Sequence, residues 1–179
     1  MDVKIVKENI ILCVSRLVRE KCVDKVLEIW DKLYEKLPEW KLVIVGDGSE
    51  RSNLEKIVID NKIQRVEFTG FTNPILYYQK SKIFWMTSKF EGWGMTLIEA
   101  MQYGCVPIVF QTFSSVKDII SSGKNGFLIK PYNMNDFQNR TIELAYNEYV
   151  LTCMAKEGIQ SVQKFSINKI IHQWENLFR

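Results

Sequence analysis

Short apolar runs alternate with amphipathic runs along most of this chain of 179 residues. The run from Ile10 to Val14 predicts a strand, and the apolar positions between Val23 and Leu37 recur at helical spacing. Equivalent runs predict further strands over 42–45, 66–68, 83–86, 106–110 and 127–129. The segments between the first five strands predict helices over 23–37, 50–60, 74–78 and 95–103. After Pro131 the pattern predicts helices only, over 136–148 and 166–178.

Strands that are apolar along their whole length, and that helices separate, are typical of a parallel sheet covered on both faces. We therefore expect an α/β fold, a doubly wound parallel sheet of about six strands with C-terminal helices, in a single domain over residues 1–179. Ligands bind such sheets at the carboxyl ends of the strands. Several predicted turns lie at that edge: 15–16, 46–48, 70–71, 88–94 and 111–115.

Composition narrows the classes of partner. The formal net charge of +3 is small and no basic block concentrates it, so we expect no nucleic-acid partner. The four cysteines lack metal or disulfide spacing and there is a single histidine, so we expect no metal site and a reducing, cytoplasmic setting. No apolar run approaches the roughly 20 residues of a membrane span.

A Gly-x-Gly turn that runs into a helix has the strongest chemical signal. Gly92 and Gly94 allow the backbone to approach a ligand, and the helix predicted from Met95 presents unpaired N–H groups to an anion. The carboxylates of Glu91 and Glu99 are poor phosphate ligands but good acceptors for hydroxyl groups. The segment therefore predicts a ligand that carries both an anion and a polyol, as a nucleotide sugar does.

The turn belongs to an ordered set of motifs. The motifs are Ser15 to Lys21, Val45 to Gly48, Gly70-Phe71, Ser88 to Glu99, Ala100 to Pro107 and Gly123 to Leu128. In order and spacing they resemble glycosyltransferase family 4. They cover nearly the whole chain, which looks like the C-terminal, donor-binding half of such an enzyme. The resemblance implies a GT-B architecture, in which two Rossmann-like domains face each other.

The resemblance also implies roles for individual residues. Arg16 and Lys21 are similar to the basic pair that holds the donor diphosphate, and Glu99 to the glutamate that accepts from ribose hydroxyls. Glu91 resembles the residue beside the donor sugar and its reacting face, so the catalytic set is Arg16, Lys21 and Glu91. The expected donor-binding set is Arg16, Lys21, Gly46, Gly48, Glu91, Gly92, Trp93, Gly94, Met95, Thr96 and Glu99.

The implied reaction is transfer of a hexosyl group, with retention of configuration, from a UDP- or GDP-sugar to an acceptor hydroxyl. The implied setting is cell-surface polysaccharide synthesis, such as capsule or lipopolysaccharide, and no cofactor or metal is expected. The N-terminal acceptor domain is absent from these 179 residues, so we expect little or no turnover by this chain alone. Any membrane contact is expected to be peripheral and to go through that missing domain.

Two alternatives remain open at this point. One is a non-catalytic nucleotide-sugar-binding module that acts with a partner chain, which the short length would fit. The other is a fragment of a GT-B nucleotide-sugar epimerase, which would need further acid and base groups near the donor. An unrelated NAD-binding domain is disfavoured because Gly-x-Gly-x-x-Gly does not follow the first strand.

Five further residues yield expectations outside the predicted site. Cys22 stands where family 4 usually has a glycine, and we expect an altered turn there. The pair Tyr77-Tyr78 is interpreted as packing. Trp174 and Phe178 are expected to anchor the last helix.

Overall fold

A computed structural model describes residues 6–178, so residues 1–5 and 179 of the predicted domain lie outside the described part. Six strands occur where the sequence predicts them, most of them longer by one or two residues. They are β1 Glu8–Val14, β2 Lys41–Val45, β3 Val66–Gly70, β4 Ser81–Met86, β5 Val106–Phe110 and β6 Phe127–Ile129.

The six strands form one sheet in the order β3-β2-β1-β4-β5-β6, and every pairing is parallel. The order reverses at β1, which lies between β2 and β4. The prediction of a doubly wound parallel sheet is therefore confirmed. Val14 pairs with Val45 and Met86 with Val109, so the carboxyl ends of these strands share one edge.

Helices cover both faces of the sheet. The helices are α1 Val23–Asp31, α2 Arg51–Asp60, α3 Ile75–Lys80, α4 Met95–Gln102, α5 Val116–Ile119, α6 Met134–Tyr146, α7 Glu148–Val162 and α8 Ile167–Leu177. One core cluster joins the sheet to α1, α2, α6 and α7, and the other joins it mainly to α3, α4 and α5. Alternate residues of β1 divide between the two clusters: Ile11 faces the first and Leu12 the second. This division is what the period-two geometry of a strand requires.

The predicted helix over 23–37 is shorter in the structure. Helix α1 ends at Asp31 and turns continue through Lys36, with N–H groups of Leu33 and Tyr34 both bonded to the carbonyl of Trp30. Leu33 and Leu37 remain buried, so the apolar spacing reports burial correctly but not the helix end.

The C-terminal region differs more from the prediction. The helix predicted over 136–148 ends at Tyr146, because Asn147 starts a new helix and its side chain accepts a hydrogen bond from the Val150 N–H. This new helix, α7, was not predicted, although it is the longest and contributes Leu151 and Met154 to the core.

The last helix contributes no buried residue. Ile167, Ile171 and Trp174 fall on one side of α8 at helical spacing, and all are exposed. Trp174 stacks on Phe178 at 5.6 Å between ring centroids, with 56% and 78% of the two residues exposed. The expectation that this pair anchors α8 is therefore wrong: the two rings contact each other and not the core.

Candidate functional site

A cleft of about 220 Å³ lies at the carboxyl ends of β1, β2 and β3, beside the first turn of α4. Three residues of the expected donor-binding set line it: Arg16, Gly46 and Thr96. Lys21, Gly48, Glu91 and Glu99 are not among its lining residues. The full lining is Val14, Ser15, Arg16, Val45, Gly46, Asp47, Phe71, Thr72, Pro74 and Thr96.

Lys21 and Glu91 form an ion pair. Nζ of Lys21 lies 2.8 Å from Oε2 of Glu91, and only 13% and 15% of the two side chains are exposed. The hydroxyl of Ser88 donates to the other oxygen, Oε1, at 2.6 Å. Lys21 and Glu91, to which the family resemblance assigns the diphosphate and the sugar, are thus in direct contact. Both charged groups are satisfied within the chain, and the carboxylate is held from two sides.

Arg16 is placed differently from Lys21. Its side chain is 73% exposed, and Nη2 lies 3.3 Å from the carboxylate of Glu20, four residues along the chain. An exposed pair of this kind adds little stability, so the guanidinium can exchange its partner at low cost. Arg16 is therefore at the cleft and available to a ligand, whereas Lys21 is already engaged.

The Gly46-Asp47-Gly48 turn has a structural reason for both glycines. A Cβ on Gly46 would lie 1.9 Å from the carbonyl oxygen of Ser15, and one on Gly48 would lie 2.4 Å from that of Leu17. The two loops are joined by hydrogen bonds from Ser15 N to Val45 O and from Leu17 N to Asp47 O. Close backbone contact between the loops thus requires the glycines.

Asp47 stabilises the same turn. Its Oδ1 accepts from the Gly48 N–H at 2.8 Å and its Oδ2 accepts from Arg51 at 2.8 Å. The backbone hydrogen bond, followed by the bond from Arg51, lowers the pKa of Asp47. The turn is consequently fixed by its own contacts before any ligand enters.

The loop from Gly92 to Gly94 leads into α4. Gly92 is open, since a Cβ there would meet nothing within 4 Å. Gly94 has φ 90°, a value that favours glycine, and a Cβ on it would lie 3.3 Å from the Phe113 ring. Trp93 packs edge-on against Phe165 at 6.0 Å, so its ring is held by the C-terminal region.

Met95 and Thr96 form the first turn of α4, where backbone N–H groups have no partner within the helix. Met95 is 59% exposed, and Thr96 faces the cleft. The positive end of a helix lies beside the cleft, which favours an anion there.

Glu99 lies one turn after Thr96 and makes a contact that sequence reasoning missed. The hydroxyl of Tyr78 donates to Oε2 of Glu99 at 3.0 Å. Burial, followed by the charge and hydrogen bond of Glu99, raises the pKa of Tyr78 well above its ordinary value. The phenol therefore stays a neutral donor, and Tyr78 both packs, as expected, and binds a residue of the site.

Cys22 adopts the left-handed conformation, with φ 50° and ψ 44°, at the start of α1. Its carbonyl accepts a hydrogen bond from the Thr87 hydroxyl at 2.9 Å. The turn thus takes a conformation that favours glycine, even though cysteine occupies it.

Three residues outside the predicted set contribute to the site. Ser88 holds Glu91, Tyr78 holds Glu99, and the buried hydroxyl of Ser15 has no hydrogen-bond partner within residues 6–178. Ser15 directly follows β1 and Ser88 is the second residue after β4, positions where a hydroxyl reaches the functional edge of a parallel sheet. That position is the signal that could have identified them.

Within 6–178, no group of three or more His, Cys, Asp or Glu side chains is arranged to hold a metal ion. No helix in the same part of the chain has the length and apolar character needed to cross a membrane.

Comparisons with known proteins place these features in a family. The family described as glycosyl transferases group 1 matches residues 2–161. A glycosyltransferase of uncharacterised function from Haemophilus influenzae is 31% identical over 169 residues, which cover 93% of this chain and 48% of that protein. The poly(ribitol-phosphate) α-N-acetylglucosaminyltransferase of Staphylococcus aureus is 31% identical over 176 residues, 96% of this chain and 35% of that protein.

A solved structure shows the same fold. The structure of a variant of S. aureus TarM, in complex with fondaparinux, α-GlcNAc-glycerol and UDP, superposes with a TM-score of 0.90 at 29% identity. The match covers 98% of this chain and 36% of TarM, so this chain spans half or less of the length of these relatives. With most of its length matched by the family and its fold shared with a solved relative, the chain belongs to the glycosyl transferases group 1 family.

Proposed function

We propose that this chain is the donor-binding half of a retaining glycosyltransferase of family 4, and that it binds a nucleoside diphosphate sugar at the carboxyl edge of its sheet. The observation that carries the proposal is the cleft between Arg16 and Thr96, with an exposed guanidinium on one side and the first turn of α4 on the other. Both features favour a phosphate group. The UDP in the TarM structure, whose fold is the same, supports the choice of ligand class.

In this proposal each charged residue binds a different part of the donor. Arg16 and the α4 N-terminus bind the diphosphate, and Lys21 joins them by releasing Glu91. Glu99 accepts hydrogen bonds from the ribose, and Glu91 binds hydroxyls of the sugar beside the reacting carbon. Arg16 and Lys21 then stabilise the charge that develops on the departing nucleoside diphosphate.

The acceptor belongs to the part of the relatives that this chain does not match. The matched regions are only 48% and 35% of the H. influenzae and S. aureus relatives, which leaves room for a second domain. We propose that this domain binds the acceptor and makes any peripheral membrane contact. The S. aureus relative is a poly(ribitol-phosphate) α-N-acetylglucosaminyltransferase, which favours a polymer hydroxyl as acceptor. We propose cell-surface polysaccharide synthesis as the process and a cytoplasmic setting for the donor.

Calorimetry with UDP, GDP and ADP, and with their sugar derivatives, tests the proposal. We expect one nucleoside diphosphate to bind, and Arg16→Ala and Glu99→Ala each to weaken it about tenfold, as loss of one charged contact of about 1.5 kcal/mol requires. Arg19→Ala is the matched control, since its side chain is 92% exposed and it does not line the cleft. Glu91→Ala should mainly reduce the preference for one sugar. Absence of binding to all three nucleotides at millimolar concentration would refute the proposal.

A further inference from the structure

Tyr78 in α3 is held by packing and by hydrogen bonds on several sides. Only 1% of it is exposed. Its ring stacks on Tyr103 with centroids 6.0 Å apart and an angle of 8° between the ring planes, and it packs on Phe84 at 6.2 Å. Its backbone carbonyl accepts hydrogen bonds from Lys7 and Cys105. The phenol oxygen therefore has one accessible position.

That position is set against Glu99. The 3.0 Å bond from the Tyr78 hydroxyl occupies Oε2, and the other carboxylate oxygen, Oε1, has no hydrogen bond from residues 6–178. Glu99 lies three residues after Thr96 on α4, so the two side chains lie on the same side of the helix, next to the cleft. A long side chain that is only partly buried would otherwise sample several rotamers.

We propose that Tyr78 is a positioning residue for donor binding: by holding Oε2 of Glu99, it presents the remaining oxygen in one orientation to the ribose hydroxyls. The inference rests on the proposed function, because it needs a nucleotide at the cleft. The Glu99 side chain loses its conformational entropy when the protein folds. That loss therefore does not weaken the binding of the nucleotide.

Tyr78→Phe tests the inference, since it removes the hydroxyl and leaves the ring. We expect it to weaken UDP about fivefold, which corresponds to about 1 kcal/mol for a freed glutamate side chain. The ratio of the dissociation constants for 2′-deoxy-UDP and UDP should fall toward the ratio found for Glu99→Ala. If GDP binds more tightly than UDP, GDP and 2′-deoxy-GDP are used instead. Tyr77→Phe is the matched control, because within residues 6–178 the Ser81 hydroxyl bonds to the Tyr77 carbonyl and no hydrogen bond goes to the Tyr77 hydroxyl.

A double-mutant cycle separates positioning from a general structural effect. In the Glu99→Ala background, Tyr78→Phe should cause no further loss of affinity, since there is no carboxylate left to orient. An equal loss in both backgrounds, or no loss in the wild-type background, would overturn the inference while leaving the proposed function intact. If the wild-type chain binds no nucleotide, the proposed function fails and this inference fails with it.

Discussion

Gly46 provides a direct test of how the first two loops are held together. An ideal Cβ at this residue would lie 1.9 Å from the Ser15 carbonyl oxygen, although Cβ contacts under 3.0 Å essentially never occur. In Gly46→Ala the loops must therefore separate by about 1 Å, because the added Cβ is bonded to the backbone and the Ser15 oxygen that it meets is a backbone atom. The separation would break or lengthen the bond from Ser15 N to Val45 O and the bond from Leu17 N to Asp47 O, now 3.0 and 2.8 Å.

Gly46→Ala should lose stability from two sources. Two backbone hydrogen bonds contribute about 1 kcal/mol each, and forcing a side chain into the φ of 137° adds about 1–2 kcal/mol. We expect Gly46→Ala to lower the free energy of unfolding by about 3–4 kcal/mol, and the melting temperature by about 10 °C for a chain of this size.

Two other glycines separate the contribution of the close contact with Ser15 from that of the backbone conformation. A Cβ on Gly123 meets nothing within 4 Å, but φ there is 83°, so Gly123→Ala reports the backbone term alone. Gly92 has neither a close neighbour nor a φ in the restricted range, so Gly92→Ala should change stability by less than about 0.5 kcal/mol. Urea unfolding of the three variants is the assay. If Gly46→Ala costs no more than Gly123→Ala, the close contact with Ser15 does not exist in solution and the reasoning is wrong.

Two further predictions concern cysteines. Cys22→Gly should stabilise the fold by about 1 kcal/mol in urea unfolding, because glycine adopts the left-handed conformation without strain, whereas Cys22→Ala should not. Burial raises the pKa of Cys13 to about 12 and that of Cys105 to about 11, so both thiols are neutral in the folded protein. In the unfolded chain the two thiols ionise near pH 8.5. Their contribution to the free energy of unfolding is therefore complete below that pH and is lost as pH rises toward 11 to 12. The loss is up to about 1.4 kcal/mol per pH unit for each thiol. Unfolding free energies measured from pH 7 to 10.5 should fall less steeply for Cys13→Ala than for the wild type; equal slopes would contradict the assignment.

The sheet was predictable because its signal is local. Most strands are short apolar runs that end at a turn, and a parallel strand buried on both faces needs no other information. The edge strand β3, in which Glu67 is exposed, is the exception. The positions at which the helices end were harder to predict from the sequence. Asn147 divides two helices by a single side-chain hydrogen bond, and the apolar spacing on either side does not reveal that break.

The candidate cleft lies at the edge of the sheet that the sequence predicts, but the contacts of the charged residues near it were only partly predictable. The turns after the strands do gather at one edge, as the parallel topology requires. The partners of the charged residues were not predictable, because they join distant parts of the chain. Lys21 meets Glu91 across 70 positions, and Tyr78 reaches Glu99 from a different helix. Such pairs depend on side-chain direction in three dimensions, which no periodicity in a single sequence encodes.

Helix α4 limits which substitutions this protein can accept over evolutionary time. One side of its eight residues carries Thr96 and Glu99, and the other buries Leu97 and Met101. Because both sides share one short backbone, an exchange of core side chains that shifts the helix also shifts the groups at the cleft. Under the proposed function, a substitution at Leu97 is therefore selected twice, once for packing and once for the placement of Glu99. Variation in the core of this helix should be narrower than its burial alone would allow.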